Sequence, residues 1–173
     1  MENIKIIDNL SPDRWEEYKN LRLESLEDSP VAFGVSVDED KTRTDAVWVE
    51  KLEKSIRGNT RFSVFAEDQG KLVGLICAYV DPLVKIKHTA HIASVYVNKA
   101  YRGRGVATKI MEGMINRIKS NKNINRLELM VVTTQEPAIS LYKKFGFEIV
   151  GTVHKNLSLD GVYYDEHIME KFI

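Results

Sequence analysis

The 173 residues are 43% hydrophobic, enough apolar material for one compact domain over residues 1–173 with a core of its own. Lysine plus arginine and aspartate plus glutamate each number 25, so the net charge is zero with histidine neutral, and no basic surplus argues for nucleic acid. The amino terminus lacks a basic start followed by an apolar stretch, and no apolar run approaches the ~18 residues of a membrane span, which points to a soluble, cytoplasmic protein without a membrane partner.

Residues 3–8 alternate around Ile4 and Ile6 and predict a first strand. Ser11-Pro12-Asp13 then looks like a helix start, with Trp15, Tyr18, Leu21 and Leu26 on one broad apolar face. Residues 29–42 are polar and broken by Pro30 and Gly34, so they read as a long connection, either a mobile loop or a functional one. The acidic run Asp38-Glu39-Asp40 within it suits a solvated face or a cationic ligand. Val47, Trp48, Leu52 and Ile56 suggest a second helix.

Residues 61–67 and 71–80 are β-compatible runs around Asp68-Gln69-Gly70, the signature of a hairpin that Asp81-Pro82 closes. Cys77, the single cysteine, lies in the second run as a small buried hydrophobe, which excludes an internal disulfide. Residues 88–97 form another strand, which turns through Arg102-Gly103-Arg104-Gly105 into a helix carrying Val106, Ile110, Met114 and Ile118 beside Ala107, Met111 and Ile115. Residues 126–132 are again a strand, so strand, helix and strand make a parallel crossover. Glu136 and Pro137 open a further helix whose Ala138, Leu141, Tyr142 and Phe145 share a face and which Gly146 stops. Residues 147–159 and 162–172 meet at Asp160-Gly161, a second hairpin signal. The Asn156-Leu157-Ser158 sequon, without a signal peptide, is read as chance. Antiparallel hairpins flanking one parallel strand-helix-strand crossover amount to an α+β, mixed α/β fold: a mostly antiparallel sheet flanked by helices.

A strand that feeds a helix through two glycines leaves the first helical N–H groups without intrahelical partners, and such an end favours an anion, usually phosphate. A Walker loop fails, because Thr108 and Lys109 stand in the wrong order. A dinucleotide fingerprint starts at Gly103 and Gly105 but finds Thr108 at its third position, and Glu128 lies inside the next strand rather than near its end. The third reading is Arg102-x-x-Gly105-x-Ala107 directly after Val95-Tyr96-Val97. Here the chain resembles the GNAT superfamily of acetyl-CoA-dependent N-acetyltransferases, whose pyrophosphate loop has the pattern Q/R-x-x-G-x-G/A. A second segment of that family, N-x-x-A-x-x-x-Y-x-x-x-G-F, is matched at Ala138, Tyr142, Gly146 and Phe147, while Gln135 stands where the family has Asn. Gln keeps the amide and adds a methylene.

The resemblance implies a GNAT-like sheet, acetyl-CoA as cosubstrate, no metal, and direct acetyl transfer to a primary amine of a small molecule or a protein or peptide. It implies that main-chain groups of Val95, Tyr96 and Val97 hold the acyl arm, with the Val97 N–H facing the developing oxyanion. It likewise implies that Gly103, Arg104, Gly105, Val106, Ala107 and Thr108 meet the pyrophosphate, with Arg102 and Arg104 either adding charge-assisted contacts or simply solvated. Gln135 would meet the pantetheine arm, Tyr142 would serve the departing thiolate as general acid, and residues 29–42 would cover the acceptor. A lysine-like amine of pKa ~10.4 is mostly protonated at pH 7, and freeing it costs about 4–5 kcal/mol. His91, on the strand before the loop, is the candidate base, since an unperturbed imidazole, pKa ~6.5, changes charge near neutral pH. A homodimer stays open, and the four histidines show no paired metal spacing. The competing readings are a non-catalytic acyl-CoA-binding regulatory module and, third, a nucleotide-dependent dehydrogenase.

Overall fold

The computed structural model describes residues 4–173. Seven strands form one sheet: β1 (Lys5–Ile7), β2 (Arg61–Asp68), β3 (Lys71–Val80), β4 (Thr89–Val97), β5 (Arg126–Val132), β6 (Glu148–Leu159) and β7 (Val162–Phe172). Their order is β1-β2-β3-β4-β5-β7-β6, with β4 and β5 parallel and every other pair antiparallel. The expected first strand is therefore shorter than residues 3–8, and Asn3 lies outside the described residues. Both hairpins turn as their sequences demand: Gln69 and Gly70 have φ of 48° and 84°, and Asp160 and Gly161 have 50° and 78°. Two successive positive φ values give a two-residue turn whose twist matches that of the strands.

Helices α1 (Trp15–Asp28), α2 (Val37–Lys41) and α3 (Asp45–Arg57) cover one face of the sheet, where Tyr18 meets the edges of Trp48 and Phe65 at 5.3 Å. Helices α4 (Val106–Lys119) and α5 (Glu136–Lys144) cover the other, where Ile110, Met111 and Met114 are fully enclosed against Val64, Ile76 and Leu127. The period of α4 read in the sequence is thus the period of its buried stripe. Among the described residues no helix is long and apolar enough to cross a membrane.

Three expectations are corrected. Residues 29–42 are not a plain connection, because they contain a short 3-10 turn at Pro30–Ala32 and then α2, opened by a capping box in which Ser36 and Glu39 satisfy each other's backbone N–H. The acidic run divides: Asp38 and Glu39 are exposed, Glu39 within that box, whereas Asp40 is buried between Arg22 at 3.0 Å and Arg43 at 2.5 Å. Burial alone would push the Asp40 carboxyl up, but hydrogen bonds from Arg43 and Arg22 and the charges of Arg22 and Lys51 hold it below the usual carboxylate range. Ile56 lies 45% exposed, so the apolar face of α3 ends at Leu52 and its last turn instead buries Ser55, which accepts the Ser63 N–H at 2.8 Å.

The feature that positions the site is a break in the β4–β5 ladder. The parallel strands are in register at Thr89↔Arg126, Ala90↔Leu127 and His91↔Glu128, and then part. On its other edge β4 carries a bulge: Leu75 faces Tyr96 and Cys77 faces Ala93, so Ser94 and Val95 together stand opposite Ile76. Ser94 adopts φ of 56° to make it. A bulge bends its strand, and this one carries the end of β4 away from β5.

Candidate active site

The parting strands open a cavity of about 520 Å³ that runs from the start of α4 to α5. Of the residues singled out in the sequence, Val95, Tyr96, Val97, Arg102, Gly103, Gly105, Val106, Ala107, Thr108, Gln135 and Tyr142 all line it. Arg104 does not line it, and its guanidinium sits over the Tyr101 ring at 5.6 Å. His91 also lies outside the lining, at the paired end of β4, where it stacks on Tyr79 at 5.0 Å and meets Glu128 at 3.2 Å.

At one end of the cavity Gly105 is the residue before α4, at φ of 78°, and Gly103 stands at 74°. A Cβ added to either would meet nothing within 4 Å, so glycine is needed there for the left-handed backbone and not for room inside the protein. No side chain caps α4, and the Lys109 N–H is the first to reach back, to the Gly105 carbonyl at 3.1 Å. The N–H groups of the first turn, Val106 to Thr108, therefore face the cavity end at the positive end of the helix dipole. An uncapped helix start of this kind suits an anion.

Arg102 is held rather than loose. Its Nε donates to the Val97 carbonyl at 2.9 Å, its guanidinium pairs with Asp28 at the end of α1, and it lies 5.6 Å from the centre of the Tyr96 ring. Burial would raise the Asp28 carboxyl, yet hydrogen bonds and charges from Lys99 and Arg102 leave it below its ordinary value. Glu24, one turn earlier on α1, accepts the Tyr96 hydroxyl at 2.9 Å and the Asn98 amide at 2.6 Å, so α1 is pinned to the end of β4 by two side chains of one strand face. Burial, then the Glu24 carboxylate, push the Tyr96 phenol well above its usual range.

The middle of the cavity presents main chain. The Asn98 N–H is engaged by the Val73 carbonyl of β3 at 2.9 Å, and successive strand N–H groups point to opposite sides. The Val97 N–H is thus turned away from β3, into the gap where β5 has departed. At the far end Tyr142 is 6% exposed, edge-on to Phe147 at 6.1 Å, and burial pushes its phenol well above the usual range. Among the described residues no hydrogen bond holds its hydroxyl, and that oxygen is not one of the sealed, unpartnered polar atoms, which are Trp48 Nε1, Arg61 Nε and Thr89 Oγ1. Helix α5 closes with Gly146 at φ of 80°, the Phe147 N–H reaching the Tyr142 carbonyl at 3.0 Å and the Gly146 N–H the Lys143 carbonyl at 2.9 Å. Gln135 stands before the helix without using its amide as a cap, which leaves that amide available to the cavity.

Sequence reasoning did not name Phe33, Ala32 and Ser29 individually, nor Met130, yet these complete the wall opposite the helix end. The signal for the first three was only their place in a long connection. Met130 was legible as a strand residue whose alternation faces away from Leu129 and Val131. Two of the three other histidines, His154 and His167, are bonded to Asp165 at 2.8 Å and to Thr152 at 2.9 Å on the β6–β7 hairpin, and the third, His88, precedes β4. Among the described residues no three histidine, cysteine or acidic side chains converge as metal ligands.

A family model described as "Acetyltransferase (GNAT) family" matches residues 15–147. An L-amino acid N-acetyltransferase of Escherichia coli, AaaT, is 33% identical over 128 residues, which is 74% of this chain and 76% of that protein. An N-alpha-acetyltransferase of Sulfolobus acidocaldarius is 33% identical over 92 residues, 49% of this chain and 55% of its own length. Among solved structures, an acetyltransferase of the GNAT family from Streptococcus pneumoniae superposes with a TM-score of 0.87 at 24% identity, over 99% of this chain and 100% of its own.

Proposed function

The chain belongs to the GNAT family of acetyltransferases, and from that premise we propose how its own residues carry out acetyl transfer from acetyl-CoA to an amine. The observation that supports the reading is the single cavity that joins an uncapped helix start, an inward-turned strand N–H and a buried tyrosine whose hydroxyl no hydrogen bond holds among the described residues. When bound, acetyl-CoA supplies an activated thioester carbonyl and a sulfur leaving group. The first-turn N–H groups of Val106, Ala107 and Thr108, with Gly103 and Gly105 giving the close approach, hold the pyrophosphate. Arg102 adds charge there, and Arg104 stands nearby over Tyr101.

Val95, Tyr96 and Val97 present main chain to the acyl arm, and the Val97 N–H faces the carbonyl oxygen as it gains charge. Gln135 donates its amide to the pantetheine arm. Tyr142 serves the sulfur as the C–S bond breaks. A phenol raised above its usual ~10 is a weaker acid than a thiol of ~8.5 is, so Tyr142 contributes chiefly a hydrogen bond to the developing thiolate. We give His91 no part in the chemistry, since its ring is committed to Tyr79 and Glu128. In this reading residues 1–173 act as one domain in the cytoplasm, without nucleic acid or membrane as partner, and a homodimer is compatible with it.

The test is thiol release from acetyl-CoA by purified protein with a panel of amines, followed by identification of the acetylated product. Amine-dependent thiol release is expected. Tight CoA binding with no thiol release for any amine class would replace the reading by a non-catalytic CoA-binding module.

A further inference from the structure

Helix α1 ends against the electrostatic preference of helices. Its last turn carries Glu27 and Asp28 and no basic residue, although the carbonyl end of a helix attracts cations and repels carboxylates. Glu27 reaches Lys41 at the surface, whereas Asp28 is turned inward, its side chain 8% exposed. Both cations that hold it, Lys99 and Arg102, belong to the connection between β4 and α4. An acid that breaks a local rule in this way is explained by what it does elsewhere in the molecule.

The two carboxylate oxygens divide their partners. Oδ1 takes Lys99, and Oδ2 takes both the Arg102 guanidinium and the Ser29 hydroxyl, the latter at 3.3 Å. Arg102 and Ser29 line the cavity, whereas Asp28 does not. One oxygen outside the cavity thus ties together two parts of its lining: the loop that leads into the uncapped start of α4, and the head of the wall that continues through Ala32 and Phe33. Beyond Ser29 that wall is stiff. The Ala32 N–H returns to the Ser29 carbonyl at 2.9 Å, and the Phe33 ring lies 4.7 Å from the guanidinium of Arg22, which Asp40 holds in turn. The place of Ser29 is therefore passed on to Phe33. On the loop side the cations keep open faces, with the Lys99 side chain 71% exposed and that of Arg102 45%, so an anion can reach them while they stay on Asp28.

We propose that Asp28 is a positioning residue that makes the binding of the amine depend on the binding of acetyl-CoA, by tying the Ser29–Phe33 wall to Arg102. The proposal rests on the acetyltransferase reading above, in which acetyl-CoA runs from the start of α4 to Tyr142 and leaves the Ser29–Phe33 side to the amine. Phosphate at the helix start gives Arg102 a third partner beside the Val97 carbonyl and Asp28. The stiffened guanidinium holds Asp28, and Asp28 holds Ser29. The wall thus loses its freedom before the amine arrives, and the amine binds a chamber that is already ordered. Such coupling is reciprocal, so a bound amine also tightens the hold on acetyl-CoA. Asp28 touches neither substrate and acts only through its neighbours.

Two variants and two measurements test this. Asp28→Asn keeps the shape and removes the charge, and Ser29→Ala removes only the link from the wall. In hydrogen exchange, CoA is expected to slow residues 29–36 of the wild type, and to leave them in Asp28→Asn at their rate without CoA, while residues 106–118 slow equally in both. In turnover with the amine that gives the fastest thiol release, Asp28→Asn is expected to raise the KM for the amine about tenfold, with kcat and CoA affinity within about threefold of wild type. Ser29→Ala is expected to shift the amine KM in the same direction. The double variant should be no worse than Asp28→Asn alone, because both changes cut one link. Protection of residues 29–36 by CoA in Asp28→Asn, a wild-type amine KM in the folded variants, or additive losses in the double variant would overturn the proposal. An equal loss of CoA affinity and amine affinity would overturn it too, by making Asp28 a plain support of the CoA site. Each of these leaves the acetyltransferase reading intact. Absence of amine-dependent thiol release in the wild type would instead overturn that reading, and the amine's part in this proposal with it.

Discussion

Tyr142 and Lys51 show how burial sets what a single side chain does. The Tyr142 phenol is raised by burial, so it stays protonated throughout pH 6–9 and adds no limb of its own to a pH profile there. Tyr142→Phe is therefore expected to lower kcat by ~10–10²-fold, by the same factor at every pH in that range, with CoA affinity little changed. A ratio of wild-type to variant rates that varied with pH would show a titrating acid instead. Lys51 on α3 lies 4.0 Å over the Trp48 ring, and burial, with Arg61 and Arg43 nearby, depresses its ammonium to about 8 against the attraction of Asp40. Between that value and the ~10.4 of an unfolded lysine the unfolded chain binds more protons, so this group makes stability rise with pH across the window. At pH 7 its charge is a penalty. Lys51→Met should raise stability by about 1 kcal/mol after allowance for solvent screening, and the gain should shrink above pH ~10, as urea denaturation at the two pH values would show.

At the scale of elements, the strand-loop-helix unit of β4 and α4 separates backbone demand from ligand demand at one residue. Gly105 has φ of 78° and free space beyond its Cα, so Gly105→Ala carries only the left-handed backbone penalty of ~1–2 kcal/mol. Gly105→Glu carries that penalty and also places a negative charge where the helix end would meet phosphate. We expect Gly105→Ala to lose stability but retain measurable acetyl-CoA binding by calorimetry, and Gly105→Glu to fold and bind none. Equal binding by both variants would remove the loop from the site. The order of elements was legible because each carries its own signal: Asp68-Gln69-Gly70 and Asp160-Gly161 permit positive φ, and the apolar spacing of α4 is its buried stripe. The element missed, α2, is five residues long and has no apolar period, and only its Ser36-x-x-Glu39 capping box advertised it.

For the molecule as a whole, one ligand should bridge elements far apart in the chain. In hydrogen exchange, CoA is expected to slow residues 95–118 and residues 133–142 together, because the cavity is walled by both. Protection confined to the first segment would describe a plain phosphate site. Local patterns alone determined the crossover, the glycine loop and the Ala138–Tyr142 helix face, since each is written within a span that its own backbone geometry requires. What the tertiary structure decided depends on partners distant in sequence. The ladder between β4 and β5 ends where a bulge opposite Ile76 bends β4, and that bulge moves His91 and Val97 to opposite ends of the strand's work. Asp40 became architectural when α1 brought Arg22 to it. Asp165 and Glu166 are adjacent acids in a strand, so alternation alone puts them on opposite faces. That Glu166 is the one buried followed only from the tertiary packing, in which the turn Pro30–Ala32 lies against β5 and β6, because burial of a charge is a property of what packs against it.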